Sequence, residues 1–341
     1  MADVQRRRYE LAGGAAASAV LILLSACLSG SPAASAPGDS AVPSTPASAA
    51  PSFVPPDLAG RIIFSRAGGT FGDDTVFTAN ANGTDQRQIS DLGASCCPWA
   101  TRDGARILFS TLAPDDRVTT TTMNFDGSDK FVIPLPNGTL NLGPGPFSPD
   151  GQQIAFEGFD DVDEPLSGIY IGNTDGTNLV QIAGRSIPGD WSPDGSRVLF
   201  FRGPDNRSSG NLYVVNIDGS GEQQLTPNGV EVQCCGNYRW SPDGSRILFA
   251  DVPGKLWLIN PDGTNLTQLF VDVTVSHNRR WAITPTWSPD GAQIMFGLDP
   301  DPGTRPLGYP ANGLYVIEAD GTGLTLVISG SDYKRGPYWV P

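Results

Sequence analysis

One five-residue phrase recurs along this chain and constrains its fold more than any other feature. Trp191-Ser-Pro-Asp-Gly195 returns as Trp240-Ser-Pro-Asp-Gly244 and Trp287-Ser-Pro-Asp-Gly291. A weaker copy stands at Phe147-Ser-Pro-Asp-Gly151, and a copy one residue longer at Trp99-Ala-Thr-Arg-Asp-Gly104. Each runs into a β-rich segment such as Arg197-Val-Leu-Phe200, Arg246-Ile-Leu-Phe249 or Gln293-Ile-Met-Phe296. A loop of variable length follows, then a second apolar run, for example Leu212-Tyr-Val-Val-Asn216 or Leu314-Tyr-Val-Ile317. A tight turn comes next, at Asn82-Gly83, Asp126-Gly127, Asp175-Gly176, Asp218-Gly219, Asp262-Gly263 and Asp320-Gly321. Such dipeptides suit hairpins because Gly, and less readily Asn or Asp, accepts positive φ. A short fourth segment such as Gln223-Gln-Leu-Thr226 ends the unit.

Six turns mean six units. Over residues 59–341 they average about 47 residues each, the size of a four-stranded propeller blade. The expected fold class is therefore all-β, a six-bladed β-propeller of four-stranded antiparallel blades. Composition agrees, because 41 Gly and 30 Pro would break helix interiors. The first unit lacks the opening phrase, yet the chain ends in Pro337-Tyr-Trp-Val-Pro341, which matches Pro285-Thr-Trp-Ser-Pro289 at three of five positions. The C-terminal segment is expected to supply the inner strand of blade 1 and close the ring.

These phrases, from Trp-Ser-Pro-Asp-Gly through Asp-Gly-Ser/Thr, resemble the TolB-type β-propeller repeat. That repeat occurs in the TolB component of the Tol-Pal system, in the non-catalytic propellers of prolyl-oligopeptidase relatives, and in many exported bacterial proteins. The resemblance covers residues 59–341 and implies the fold, since the motif residues build turns and packing; function lies elsewhere on such a scaffold. Two departures stand out. Where TolB carries an α/β domain before its propeller, this chain has only a linker, and it leaves no room for an α/β-hydrolase domain.

Residues 1–26 read as a lipoprotein signal peptide. Arg6-Arg7-Arg8 precede an apolar run from Leu11 to Leu24 that is shorter than a comfortable membrane span. Leu24-Ser25-Ala26-Cys27 resembles a lipobox, which implies acylation of Cys27. Residues 27–58 are rich in Ser, Ala and Pro and read as a flexible tether that holds the folded body off a membrane. The expected location is exported, lipid-anchored to the cell membrane or to the periplasmic or outer-membrane face. With 36 acidic against 22 basic residues and a net charge of −14, the body carries the wrong sign for a phosphate backbone or an anionic leaflet. Nucleic acid is excluded as a partner, and the membrane is reached only through the anchor.

Antiparallel strands place both turn families on one face of each blade and the variable loops on the other. Variable loops are where repeat proteins usually bind. The loop face is acidic, with Asp73-Asp74, Asp115-Asp116, Asp205, Asp251, Asp299, Asp301 and the cluster Asp160, Asp161, Asp163 and Glu164. Solubility, calcium at the cluster and attraction of a basic partner are all compatible with it. The blade 5 to 6 link carries Arg279, Arg280 and Trp281, residue types common at binding hot spots. Cys96-Cys97 and Cys234-Cys235 each lead into an inner strand, three blades apart. An oxidising compartment disfavours four free thiols. Vicinal disulfides are the favoured expectation, with soft-metal ligation and free or cross-linked thiols as alternatives.

The expected function is non-enzymatic: a monomeric envelope lipoprotein whose loop face binds a protein, peptide or glycan, with no cofactor. The candidate binding residues are the two cysteine pairs, Arg279, Arg280, Trp281, Asp160, Asp161 and Asp163. A propeller enzyme of lyase or lactonase type with a site at the channel mouth is the competing class. The single histidine, His277, argues against sites built from several imidazoles. A third possibility is an extracellular sensor or assembly factor.

Overall fold

The computed structural model describes residues 58–67, 74–91, 98–112, 118–134, 140–160, 167–204, 209–233, 238–252, 254–269, 282–298, 313–330 and 333–341. Its strands form six sheets of antiparallel neighbours. Blade 1 holds β1 (Arg61–Ala67), β2 (Thr75–Asn80) and β3 (Arg87–Gln88), and blade 2 holds β4 (Trp99–Ala100), β5 (Arg106–Leu112), β6 (Val118–Asn124) and β7 (Phe131–Val132). Blade 3 runs through β8 (Leu140–Gly143), β9 (Gln153–Asp160), β10 (Gly168–Asn173) and β11 (Val180–Gly184). In blade 4, β12 (Ile187–Trp191), β13 (Arg197–Arg202), β14 (Ser209–Asn216) and β15 (Gln223–Gln224) are joined by β16 (Val232–Gln233). Blade 5 is β17 (Tyr238–Trp240), β18 (Ile247–Ala250), β19 (Leu256–Ile259) and β20 (Thr267–Gln268). Blade 6 is β21 (Ala282–Trp287), β22 (Gln293–Leu298), β23 (Leu314–Glu318) and β24 (Thr325–Ile328), and β25 (Tyr333–Val340) completes blade 1.

Closure occurs as the terminal repeat implies. β25 pairs with β1, Ile62 opposite Trp339 and Ile63 opposite Tyr338. The Trp339 indole N–H also donates to the Ala59 carbonyl at 2.9 Å. Packing carries the ring further than pairing does. The buried apolar residues fall into six clusters, and each cluster spans two adjacent blades, including blades 6 and 1. A blade therefore buries both its faces only when both neighbours are present, which is the physical reason that the repeat must close.

Both turn families recur with the same bonds. At the first turn of blade 4, the Ser192 hydroxyl donates to Asp194 Oδ1 at 2.6 Å and the Ser196 N–H to the same oxygen at 3.0 Å. The second turn repeats this with Asp218 and Ser220, around Gly219 at φ 83°. The Asp residues of the motif are thus committed to their own turns. At Asp194 and Asp243 the serine hydroxyl, and then the backbone N–H, hold the carboxyl down at about 2.

Three local readings are refined. In blade 3, Pro144 and Pro146 lack N–H donors, so the inner strand β8 ends at Gly143 and Phe147 meets Ile154 only through an isolated bridge. The link into blade 5 holds β16, which pairs with β14 through Ser209 and Gly210. Finally, Asp74 and Asp251, read as solvated loop-face acids, are 3% and 7% exposed. Asp251 accepts from the Lys255 N–H at 2.7 Å and the Trp257 indole N–H at 2.9 Å, which makes it a turn-stabilising residue.

Candidate functional site: the axis of the ring

The residue before the motif Trp turns out to be the chemically varied position of the repeat. Asp190 stands opposite Leu199, Arg239 opposite Leu248, Thr286 opposite Met295 and Tyr338 opposite Ile63, each next to the pair made by the motif Trp. In blade 3 the Ala155 N–H donates to the Pro146 carbonyl, which gives Pro146 the same place. Blade 2 departs from the simple reading of its motif. Counted from the turn, Ala100 sits opposite Ile107, where other blades carry the Trp, and Trp99 sits opposite Leu108. The extra residue therefore moves Trp99 into the varied position. From blade 1 to blade 6 that position holds Tyr338, Trp99, Pro146, Asp190, Arg239 and Thr286.

Four of these side chains meet at the axis. The Arg239 guanidinium lies 4.2 Å from the ring centroid of Trp99, in the opposite blade, and 5.3 Å from that of Tyr338. Trp99 and Tyr338 meet edge to face at 6.1 Å. Arg239 Nη1 donates to the carbonyls of Gly189 at 2.9 Å and Tyr238 at 3.3 Å. Asp190 accepts the Trp191 N–H on one oxygen and the Trp240 N–H on the other, both at 2.9 Å, so one carboxylate ties blade 4 to blade 5. Arg102 reaches from the blade 2 turn to the Trp191 carbonyl at 3.4 Å. Close approach here depends on Gly189, where a Cβ would fall 1.8 Å from the Tyr238 ring.

Burial raises the Asp190 carboxyl, while Arg239, Arg102 and the two N–H groups oppose that rise. Burial, and then the charge of Asp190, push the Tyr338 phenol up to about 12, so it remains a hydrogen-bond donor at neutral pH.

A second enclosed carboxyl lies off the axis. Glu157 stands on β9 opposite Gly143 and Ile169, and alternation puts it on the same side as Ala155, which packs toward blade 4. Burial pushes it up to about 8 from 4.5. Because its folded value is raised, the native state holds a proton that the unfolded chain releases between those values. Stability is expected to fall as pH rises from about 4.5 to 8. Glu157→Gln should remove that dependence and add about 2–4 kcal/mol at pH 8, a range trimmed for the residue's partial exposure. Urea unfolding at pH 5 and pH 8.5 checks this; equal pH slopes in the two proteins would refute it.

The residues singled out from sequence lie almost wholly outside the described residues: Cys27, Cys96, Cys97, Asp161, Asp163, Cys234, Cys235, Arg279, Arg280 and Trp281. Asp160 is placed as the last residue of β9, opposite Leu140. Among the described residues no group of three or more His, Cys, Asp or Glu could hold a metal ion, and no helix is long and apolar enough to cross a membrane. Sequence reasoning passed over the axial residues. Their signal was there: within a nearly constant phrase, the residue before Trp changes from Asp to Arg to Thr.

No protein-family model and no curated protein sequence matches the chain. Solved structures do. The fold is similar to TolB from Acinetobacter baumannii, with a TM-score of 0.62 and 19% identity over 84% of this chain and 67% of that one. It is also similar to a putative TolB from Agrobacterium tumefaciens, with a TM-score of 0.56 and 18% identity over 83% and 99%. An oligogalacturonate lyase from Vibrio parahaemolyticus gives a TM-score of 0.52 and 14% identity over 82% and 84%. At these identities the likeness is one of fold. The protein is a six-bladed β-propeller closed by its C-terminal strand, similar in fold to the propellers of TolB proteins.

Proposed function

We propose that this chain is an exported, lipid-tethered propeller that binds a protein, peptide or glycan through its loop face. In this reading residues 1–26 are removed, Cys27 carries the lipid, 27–58 form the tether and 59–341 the binding body. The observation that carries it is the asymmetry of the ring. One end is built from short turns of constant design, and near that end the axis is lined by buried Arg239, Asp190 and Trp99 and by partly buried Tyr338. The links of variable length leave from the opposite strand ends, and by sequence position Arg279, Arg280, Trp281 and both cysteine pairs belong to such links. The fold likeness to TolB propellers supports a binding role in the envelope.

The test is cross-linking in native envelopes with the tagged full chain, wild type against a variant with Arg279, Arg280 and Trp281 all changed to Ala. Capture of one or a few envelope components is expected, reduced about tenfold or more in the variant, as for loss of binding hot spots. Equal capture by both would remove the loop from the reading. In the same cells, Cys27→Ser should abolish fatty-acid labelling, and surviving label would overturn the anchor. The likeness to a lyase favours a second reading, an enzyme acting at the channel mouth. Incubation with oligogalacturonate should give no unsaturated product; its appearance would establish that reading instead.

A further inference from the structure

Arg239 is the least satisfied charged group at the axis. It is 7% exposed, and its Nε has no hydrogen-bond partner. Both bonds that it makes leave from Nη1. The edge formed by Nε and Nη2 is therefore unused, and that edge matches the two oxygens of a carboxylate. No carboxylate among the described residues forms an ion pair with it. Asp190 is held by the Trp191 and Trp240 N–H groups and makes no hydrogen bond or ion pair with Arg239.

Charge points the same way. Arg239 and Arg102 bring two positive charges to the axis and Asp190 one negative charge, so one positive charge is left over in a low-dielectric setting. A single anionic group would neutralise it, whereas a doubly charged phosphate would overshoot. Trp99 and Tyr338 hold the guanidinium plane from the opposite side of the ring, which keeps the free edge in a fixed direction. Half-buried Arg102 makes only one long hydrogen bond, to the Trp191 carbonyl, so it has donors left for the same group. Leaving a buried N–H unpaired is unfavourable, and a ligand that pairs with it removes that penalty.

We infer that the axis between Trp99, Arg102, Asp190, Arg239 and Tyr338 is a binding site for a single carboxylate group, gripped side-on by Nε and Nη2 of Arg239. This site stands apart from the loop-face contact surface and does not depend on which partner that surface takes. A peptide C-terminus or a sugar acid could supply the carboxylate.

Isothermal titration of the full chain distinguishes these sources, using triglycine, triglycine amide, galacturonate and galactose as probes. At least one acid is expected to bind, with its counterpart lacking the carboxylate about tenfold weaker or worse, the loss of one charge-assisted pair. Which acid binds names the source. Arg239→Gln should abolish the binding and Arg102→Gln should weaken it severalfold. Arg102 is partly exposed and lightly bonded, so its variant decides the matter if Arg239→Gln fails to fold. The inference is overturned if neither acid binds at millimolar concentration, if the counterparts lacking the carboxylate bind equally well, or if folded variants bind like wild type.

Discussion

Deleting residues 336–341 should leave a chain that no longer unfolds cooperatively. The deletion removes Tyr338, Trp339 and Val340 from their pairing with β1. Trp339 belongs to the cluster between blades 6 and 1, and Val340 to the cluster between blades 1 and 2, so two interblade cores lose members together. Losing a buried Trp alone costs about 3–5 kcal/mol. With Val340 and the lost pairing the total is roughly 5–10 kcal/mol, comparable with the net stability of a whole domain. The exposed inner edge of β1 should also promote association. Size-exclusion chromatography and thermal unfolding of the truncated chain check this, alongside Trp339→Ala, which should cost about 3–5 kcal/mol without abolishing the fold. A monomeric truncated chain with an unchanged Tm would show that the terminal strand does not hold the ring.

Asp190→Ala is expected to cost about 3–5 kcal/mol. Two N–H groups, of Trp191 and Trp240, lose their acceptor in a buried setting. The guanidinium groups of Arg239 and Arg102 lose the nearby negative charge as well. Asp190→Asn should fall between wild type and Ala, since its amide oxygen can accept one of the two N–H groups. Denaturant unfolding at pH 7 measures both. If Asp190→Ala unfolds within about 1 kcal/mol of wild type, the blade 4 to blade 5 tie is energetically idle, because unpaired buried donors alone should cost more.

The repeat phrase alone determined a great deal here. Trp-Ser-Pro-Asp-Gly and Asp-Gly-Ser are legible because their bonds are local. Ser192, Asp194 and Ser196 satisfy one another within five residues, whatever the rest of the chain does. Count the turns and the number of blades follows; match Trp339 to Trp287 and the closure follows. The axial site was not legible in the same way. Arg239 and Trp99 are 140 positions apart and touch only because a ring of six blades sets blade 5 opposite blade 2. Even the identity of the axial residue in blade 2 needed pairing: read from the sequence, Trp99 is the motif Trp, whereas register with β5 gives that slot to Ala100. Likewise Asp251 looks like a surface acid until Trp257 and the Lys255 N–H are seen to close around it. Local hydrogen bonding writes the turns into the sequence, whereas burial and charge at the axis exist only once six separate strands converge.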